Sequence, residues 1–181
     1  PEAEERICLY NANWVQRYDS LIAVAAVSPK PLLRWVMLLH DIGKISVPED
    51  ILNKQGKLTQ EEYGVMQGHV NNSIEMIRHL PQMDYVIPAA IGHHERWDGK
   101  GYPRGIAQEE IPVGARCLAI ADVFDAMTTD RPYRRGLPVE YALQQIEGGA
   151  GTQFDPTLAP LFVQLVRSRA LPVRSQRAQE R

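Results

Sequence analysis

Residues 31–41, PLLRWVMLLHD, read as a helix that is apolar on most sides and ends in a histidine and an aspartate. A helix with so little polar surface is stable only when other elements cover it. His40 and Asp41 are therefore carried toward the interior by their own helix. This limits the fold to helices packed around a polar centre, and the rest of the chain agrees. Apolar residues recur at helical spacing nearly throughout, and no segment alternates as a half-buried strand does. The pattern predicts helices over about 3–27, 31–41, 48–52, 59–79, 84–95, 112–129, 138–147 and from Asp155-Pro156 to about 168. Thr59 and Glu62 have the spacing of a capping box, and Asp155-Pro156 suits a cap followed by a first helical residue. Residues 96–112, RWDGKGYPRGIAQEEIP, are broken by glycine and proline and predict an irregular loop. The expected fold class is all-α, a helical bundle.

With 181 residues the chain is long enough for one domain with a real core. A net charge of −2 argues against a protein that coats a nucleic-acid polymer. No apolar run approaches the roughly 18 residues of a membrane span. Cys8 and Cys117 fit no close-spaced metal motif and read as reduced thiols of a cytoplasmic protein. The opening PEAEERICLY reads as the inside of a longer chain, and 171–181 as a charged tail.

Five histidines occur: His40, His69, His79, His93 and His94. Each lies in or near the end of a predicted helix. His79, just before Leu80-Pro81, reads as a surface residue. The others have company: Asp41 beside His40, and His93 beside His94. Asp122 sits within CLAIADVFDAM, where an unpaired buried carboxylate would be expensive. Four separate helices thus offer a nitrogen or carboxylate, and a shared cation in the bundle is the cheapest explanation. Imidazole and carboxylate without thiolate suit a borderline divalent metal such as Fe, Mn, Ni or Zn. The candidates His40, Asp41, His69, His93, His94 and Asp122 exceed what a structural zinc needs. They suit two divalent cations bridged by Asp41. Such a pair holds a hydroxide and clamps the oxygens of a phosphoryl centre during in-line attack.

HDIGK, the lone helix histidine His69, HHERWDGKGYP, ADVFDAMTTDRPYR and GTQFDP follow one another in the order of HD-GYP domains. The chain resembles this subset of the HD metal-dependent phosphohydrolases over roughly 10–165, and 1–170 is expected to be the domain. The resemblance implies an all-α bundle around two or three metals. It also implies hydrolysis of cyclic di-GMP to linear pGpG, and often on to GMP, behind an N-terminal sensory domain. By motif, His69, His93 and His94 would hold one metal with Asp41, and His40 and Asp122 the other. Asp125, one turn after Asp122, would be a further oxygen or a neighbour of the ligands. Lys44 matches the family lysine that neutralises charge on phosphoryl oxygens. Arg131 and Arg134 match its phosphate-binding cations, whose planar forks suit phosphate. Tyr102 would pack near guanine or brace its loop, while Trp97 and Pro103 would be structural. The resemblance also implies that the GYP loop contacts GGDEF-type partners; a homodimer stays open.

One departure is plain. Family members carry a histidine in the first helix, and here NWVQR puts Trp14 at that position; Tyr10 stands where a glutamate would be. Asn11, Asn13 or Asp19 would be the substitutes on that helix. A binuclear rather than trinuclear phosphodiesterase is the leading reading. A second reading, of a different class, is a weakly active or inactive domain that serves as a cyclic di-GMP receptor or protein-interaction module. A third is a phosphohydrolase of other nucleotides.

Overall fold

The chain is represented by a computed structural model describing residues 30–130 and 135–168, with side chains from Trp35 onward. In order it runs α1 (Lys30–Leu39), a 3₁₀ turn (Ile42–Ser46), α2 (Glu49–Leu52), α3 (Gln60–Gln67) and α4 (His69–Arg78). A second 3₁₀ turn (Asp84–Val86), α5 (Ile87–Gly92), a third (Gln108–Glu110), α6 (Val113–Thr128), α7 (Val139–Gly148) and α8 (Leu158–Arg167) complete it. The described residues contain no strand, only an isolated bridge between Ala150 and Phe154. The fold is all-α, as its periodicity predicts.

Local chemistry explains most of the boundaries. Thr59 accepts from the Glu62 N–H at 3.2 Å, and the Glu62 carboxylate accepts from the Thr59 N–H at 2.7 Å, so the expected capping box starts α3. Asp155 accepts from the N–H groups of Thr157 and Leu158 at 2.7 and 3.1 Å and caps α8. Pro156 lies ahead of that helix rather than at its first position.

Three expected helices are corrected. The segment 31–41 is helical only to Leu39, because the chain turns into the 3₁₀ segment at His40 and Asp41. The segment 59–79 is broken at Gly68, whose N–H is shared between the Gly64 and Val65 carbonyls. Two glycines in one stretch, Gly64 and Gly68, weaken helix propagation there. The segment 84–95 becomes a 3₁₀ turn followed by the short α5, with His93 and His94 beyond its end. Pro88 cannot accept a helical interior position because it lacks an N–H. The loop 96–112 also contains the Gln108–Glu110 turn.

The elements close on one core. α4 packs against the Ile42–Ser46 turn and α5; α5 packs on α6; α6 meets α7 and α8. Ile77 of α4, Val86, Leu118 of α6, Leu143 of α7 and Phe162 of α8 are buried together. Phe124 meets Phe162 edge-on, ring centroids 5.2 Å apart. The consequence is positional: the turn after α1, the start of α4, the end of α5 and the middle of α6 are brought to one place. Among the described residues no helix is long and apolar enough to cross a membrane.

Candidate metal centre

The turn carrying His40 and Asp41 lies hard against α4. A Cβ on Gly43 would stand 2.1 Å from the His69 carbonyl oxygen and 2.4 Å from the Ser73 nitrogen. Only glycine permits that approach. The Gly43 N–H donates to Ser73 Oγ at 2.9 Å, and Ser46 Oγ donates to the Gly43 carbonyl at 2.7 Å. The HDIGK turn is thereby fixed to the first two turns of α4, which begins at His69.

His40, His69 and His93 are oriented by one repeated device. Each ring places Nδ1 against the carbonyl three residues earlier: Met37 at 2.9 Å, Met66 at 2.6 Å and Ala90 at 2.6 Å. A carbonyl oxygen can only accept, so each Nδ1 carries the proton. A neutral ring then leaves Nε2 with a lone pair, the arrangement that metal-ligating histidines use. All three Nε2 atoms converge on one carboxylate. His69 and His93 lie 3.2 and 3.8 Å from Asp41 Oδ1, and His40 lies 3.5 Å from Asp41 Oδ2. His94 adds a fourth ring, its centroid 3.9 Å from that of His93 and 5.1 Å from that of His69.

The electrostatics of this cluster ask for a positive charge. His69 Nε2, His93 Nε2 and Asp41 Oδ1 are buried and have no hydrogen-bond partner, although more than nine in ten buried polar groups normally find one. Lone pairs facing a carboxylate oxygen repel unless a cation or proton lies among them. Burial disfavours protons on three of these rings. Burial lowers the pKa of His40, and lowers that of His93 to about 3; burial and the neighbouring His93 lower that of His94. Burial opposes ionisation of Asp41, but the Lys44 ammonium, in direct contact with Oδ2, holds its carboxyl well below the usual range. Burial, and then the Asp41 charge, push Asp122 upward.

Two groups of ligand atoms can each gather within 4.8 Å: Asp41, His69, His93 and His94 in one, and His40, Asp41 and Asp122 in the other. Asp41 belongs to both, with one oxygen toward each side. The donor set is imidazole and carboxylate only, and it fits divalent cations by chemistry, by burial and by the unpartnered His69 Nε2, His93 Nε2 and Asp41 Oδ1. The structure thus brings together all six residues singled out in the sequence as ligands.

A stability consequence follows from the depressed histidines. A histidine at about 3 in the folded chain and 6.5 in the unfolded one makes the unfolded state bind more protons between those values. Stability of the metal-free protein is therefore full above pH 6.5 and falls as pH drops below it. His93 alone contributes a slope approaching about 1.4 kcal/mol per pH unit. Asp122, raised above 3.8 by burial and the Asp41 charge, works in the opposite sense. Urea unfolding of metal-free protein at about pH 7, 6 and 5 is expected to show the decline, flattened in His93→Gln; a pH-independent midpoint would contradict it.

The GYP loop reaches the cluster through Tyr102, whose ring lies flat against His94 with centroids 4.7 Å apart and planes at 23°. Gly101 makes this possible: a Cβ there would sit 2.4 Å from the Arg96 nitrogen and 2.6 Å from the His94 oxygen. The Tyr102 N–H donates to the His94 carbonyl at 3.2 Å. Arg96 forks onto Asp98 at 3.0 and 2.8 Å, and Asp98 accepts the Lys100 N–H. Trp97 packs under the Arg116 guanidinium, which pairs with Asp155 at 2.7 Å, tying the loop to α6 and the start of α8.

Of the other expected residues, Asp125 accepts the Thr129 hydroxyl at 3.0 Å and stands outside both ligand groups. His79 is on the surface, 3.7 Å from Glu75. Arg131, Arg134 and the first-helix positions Tyr10, Asn11, Asn13, Trp14 and Asp19 lie outside the described residues. Glu95 escaped the sequence reading. It is 3% exposed, accepts the Arg104 N–H at 2.8 Å and fastens the loop to the turn holding His93 and His94. Its signal was a charged residue directly after the histidine pair. Ser73, the acceptor for Gly43, carried no signal that distinguishes it from any helix-surface serine.

The HD domain family profile matches residues 16–158. A cyclic di-GMP phosphodiesterase of Pseudomonas aeruginosa is 44% identical over 142 residues, 76% of this chain and 34% of that one. One of Thermotoga maritima is 42% identical, over 74% of this chain and 37% of its own. A 3′3′-cGAMP-specific phosphodiesterase of Vibrio cholerae is 35% identical, over 88% and 30% respectively. The chain thus spans about a third of the length of these relatives. A crystal structure of a cyclic GMP-AMP-specific phosphodiesterase from Vibrio cholerae shares the fold at a TM-score of 0.63 and 20% identity, covering 87% of this chain and 44% of that one. With the match spanning most of its length and running through every element that builds the cluster, the chain belongs to the HD domain family, as a domain of the HD-GYP type.

Proposed function

We propose that this domain is a metal-dependent phosphodiesterase that opens cyclic di-GMP to linear pGpG, and further to GMP. One observation carries the reading: lone pairs of His40, His69 and His93 converge on a single buried carboxylate that already has an ammonium at its side. In this reading His69, His93, His94 and Asp41 hold one divalent cation, and His40, Asp41 and Asp122 the other, with Fe, Mn or Ni ahead of Zn. Bound cations of this kind acidify water and polarise the phosphoryl group at neutral pH. The chain's own residues do the rest. The main-chain carbonyls behind the histidines aim the lone pairs. Asp41 offers an oxygen to each side. The Lys44 ammonium can leave Asp41 Oδ2 for a phosphoryl oxygen and neutralise charge that grows there. Arg131 and Arg134 bind phosphate of the substrate. Tyr102 packs near an incoming guanine or braces its own loop. Asp125 orders the end of α6 behind Asp122.

The relatives named for cyclic di-GMP and for 3′3′-cGAMP both support a cyclic dinucleotide as substrate class. A cytoplasmic location, a GGDEF-type partner at the GYP loop and a homodimer belong to the same reading. The test is to load the protein with Mn(II) or Fe(II), count the metal, and follow cyclic di-GMP by chromatography. Linear product that disappears on chelation and returns with metal is expected. Tight binding without product would identify a receptor instead, and equal turnover in excess chelator would end the metal-dependent reading.

A further inference from the structure

Tyr63 on α3 leaves a large ring 43% exposed. Its edge meets the Tyr102 ring, centroids 6.3 Å apart and planes at 76°, and Tyr102 in turn lies on His94. Three rings from three separate stretches thus run from the ligand cluster out to solvent. The outer one is well held. The Thr59–Glu62 capping box fixes the first turn of α3, and Lys54 pairs with Glu62 at 2.6 Å. The next turn supplies the Met66 carbonyl that orients His69. Tyr63 and the His69 lone pair are therefore positioned by one short piece of backbone.

We propose that Tyr63 is a base-stacking residue, the outer member of an aromatic wall that receives a purine of a cyclic dinucleotide. The inference deepens the reading above and rests on it. With a phosphodiester at the Asp41 cluster, its ribose extends outward and presents a planar base one sugar further on. The exposed Tyr63 ring, next to Tyr102 on its outer side, would meet that base. Stacking uses the π-face that every base has, so it does not choose between guanine and adenine. The phenol hydroxyl has no part in it.

The test measures binding of a hydrolysis-resistant phosphorothioate of cyclic di-GMP to the metal-loaded protein by calorimetry, beside ribose 5-phosphate as a baseless control. Stacking of one base is worth about 1–3 kcal/mol, about 5- to 150-fold in affinity. Tyr63→Ala is expected to weaken the dinucleotide by about tenfold and to leave ribose 5-phosphate and metal content unchanged. Tyr63→Phe should bind within about twofold of the native chain, since it keeps the ring. Tyr63→Leu, which fills the same space without a π-face, repeats the test if the alanine variant does not fold. Unchanged dinucleotide affinity in the alanine or leucine variant, or an equal loss for ribose 5-phosphate, would overturn the assignment. A native chain that does not bind the dinucleotide at all would overturn it together with the proposed substrate. Tyr63-dependent binding with no turnover of cyclic di-GMP itself would sink only the phosphodiesterase reading.

Discussion

Asp41→Ala is expected to abolish turnover while leaving the chain folded. Groups that merely orient a ligand cost 10- to 100-fold when removed, so loss of a carboxylate shared by both ligand groups should exceed about 100-fold. The fold should survive because the substitution removes a buried carboxylate whose Oδ1 has no partner. The released Lys44 is 24% exposed and can return to water. Stranding one member of a buried pair costs about 3–5 kcal/mol; here the stranded member reaches solvent, and a loss of about 1 kcal/mol or less is expected by urea unfolding without metal. Metal separates the two chains. A ligand at a hundred times its Kd adds about 2.7 kcal/mol to a native state that binds it. The native protein should gain stability on that scale with Mn(II), and the variant should gain almost none. An Asp41→Ala protein that is stabilised as much as the native one would place the cation elsewhere.

Gly43→Ala is the second large effect, and it touches no ligand. The new methyl would collide with backbone atoms of His69 and Ser73 at 2.1 and 2.4 Å, and with Ser73 Oγ at 2.8 Å; the backbone atoms cannot swing aside. The Ile42–Ser46 turn must lift from α4, breaking the bond from Gly43 to Ser73 Oγ. Overpacking a core costs about 1–3 kcal/mol. With main chain on both sides we expect the upper end, about 3 kcal/mol, as a lowered urea midpoint. The same shift carries His40 and Asp41 away from His69, and a displacement of about 1 Å in such a site costs about 10²-fold in rate. All six candidate ligands would still be present, yet metal affinity by calorimetry should fall steeply. Native-like metal binding in a folded Gly43→Ala protein would show that the close approach does not matter.

Much of this site is legible in the sequence because histidine is scarce in this chain and all but His69 fall near the ends of expected helices. A pair such as His40-Asp41 at the close of an apolar helix has few uses other than a polar centre, so its partners could be sought among His69, His93, His94 and Asp122. What could not be read was the geometry that delivers them. The break at Gly68 looks in sequence like a tolerated glycine inside a capped helix, but it sets the start of α4 at His69. The path of the GYP loop is not legible in the sequence either. It depends on Gly101 admitting backbone to backbone contact and on Glu95 receiving the Arg104 N–H, pairings between residues that local propensity cannot connect. Tyr63 reads as any surface aromatic on an amphipathic helix until the fold lays it beside Tyr102. The readings at Trp14, Arg131 and Arg134 lie outside the described residues.

The carbonyl behind each of His40, His69 and His93 belongs to the peptide chain itself, at Met37, Met66 and Ala90. No exchange of those three side chains deletes the oxygen. A mutational scan would therefore score these positions by volume and helix preference alone and pass over their part in aiming the imidazoles. The restraint would surface only under backbone chemistry, such as an ester in place of an amide, which weakens the acceptor without altering any residue's shape.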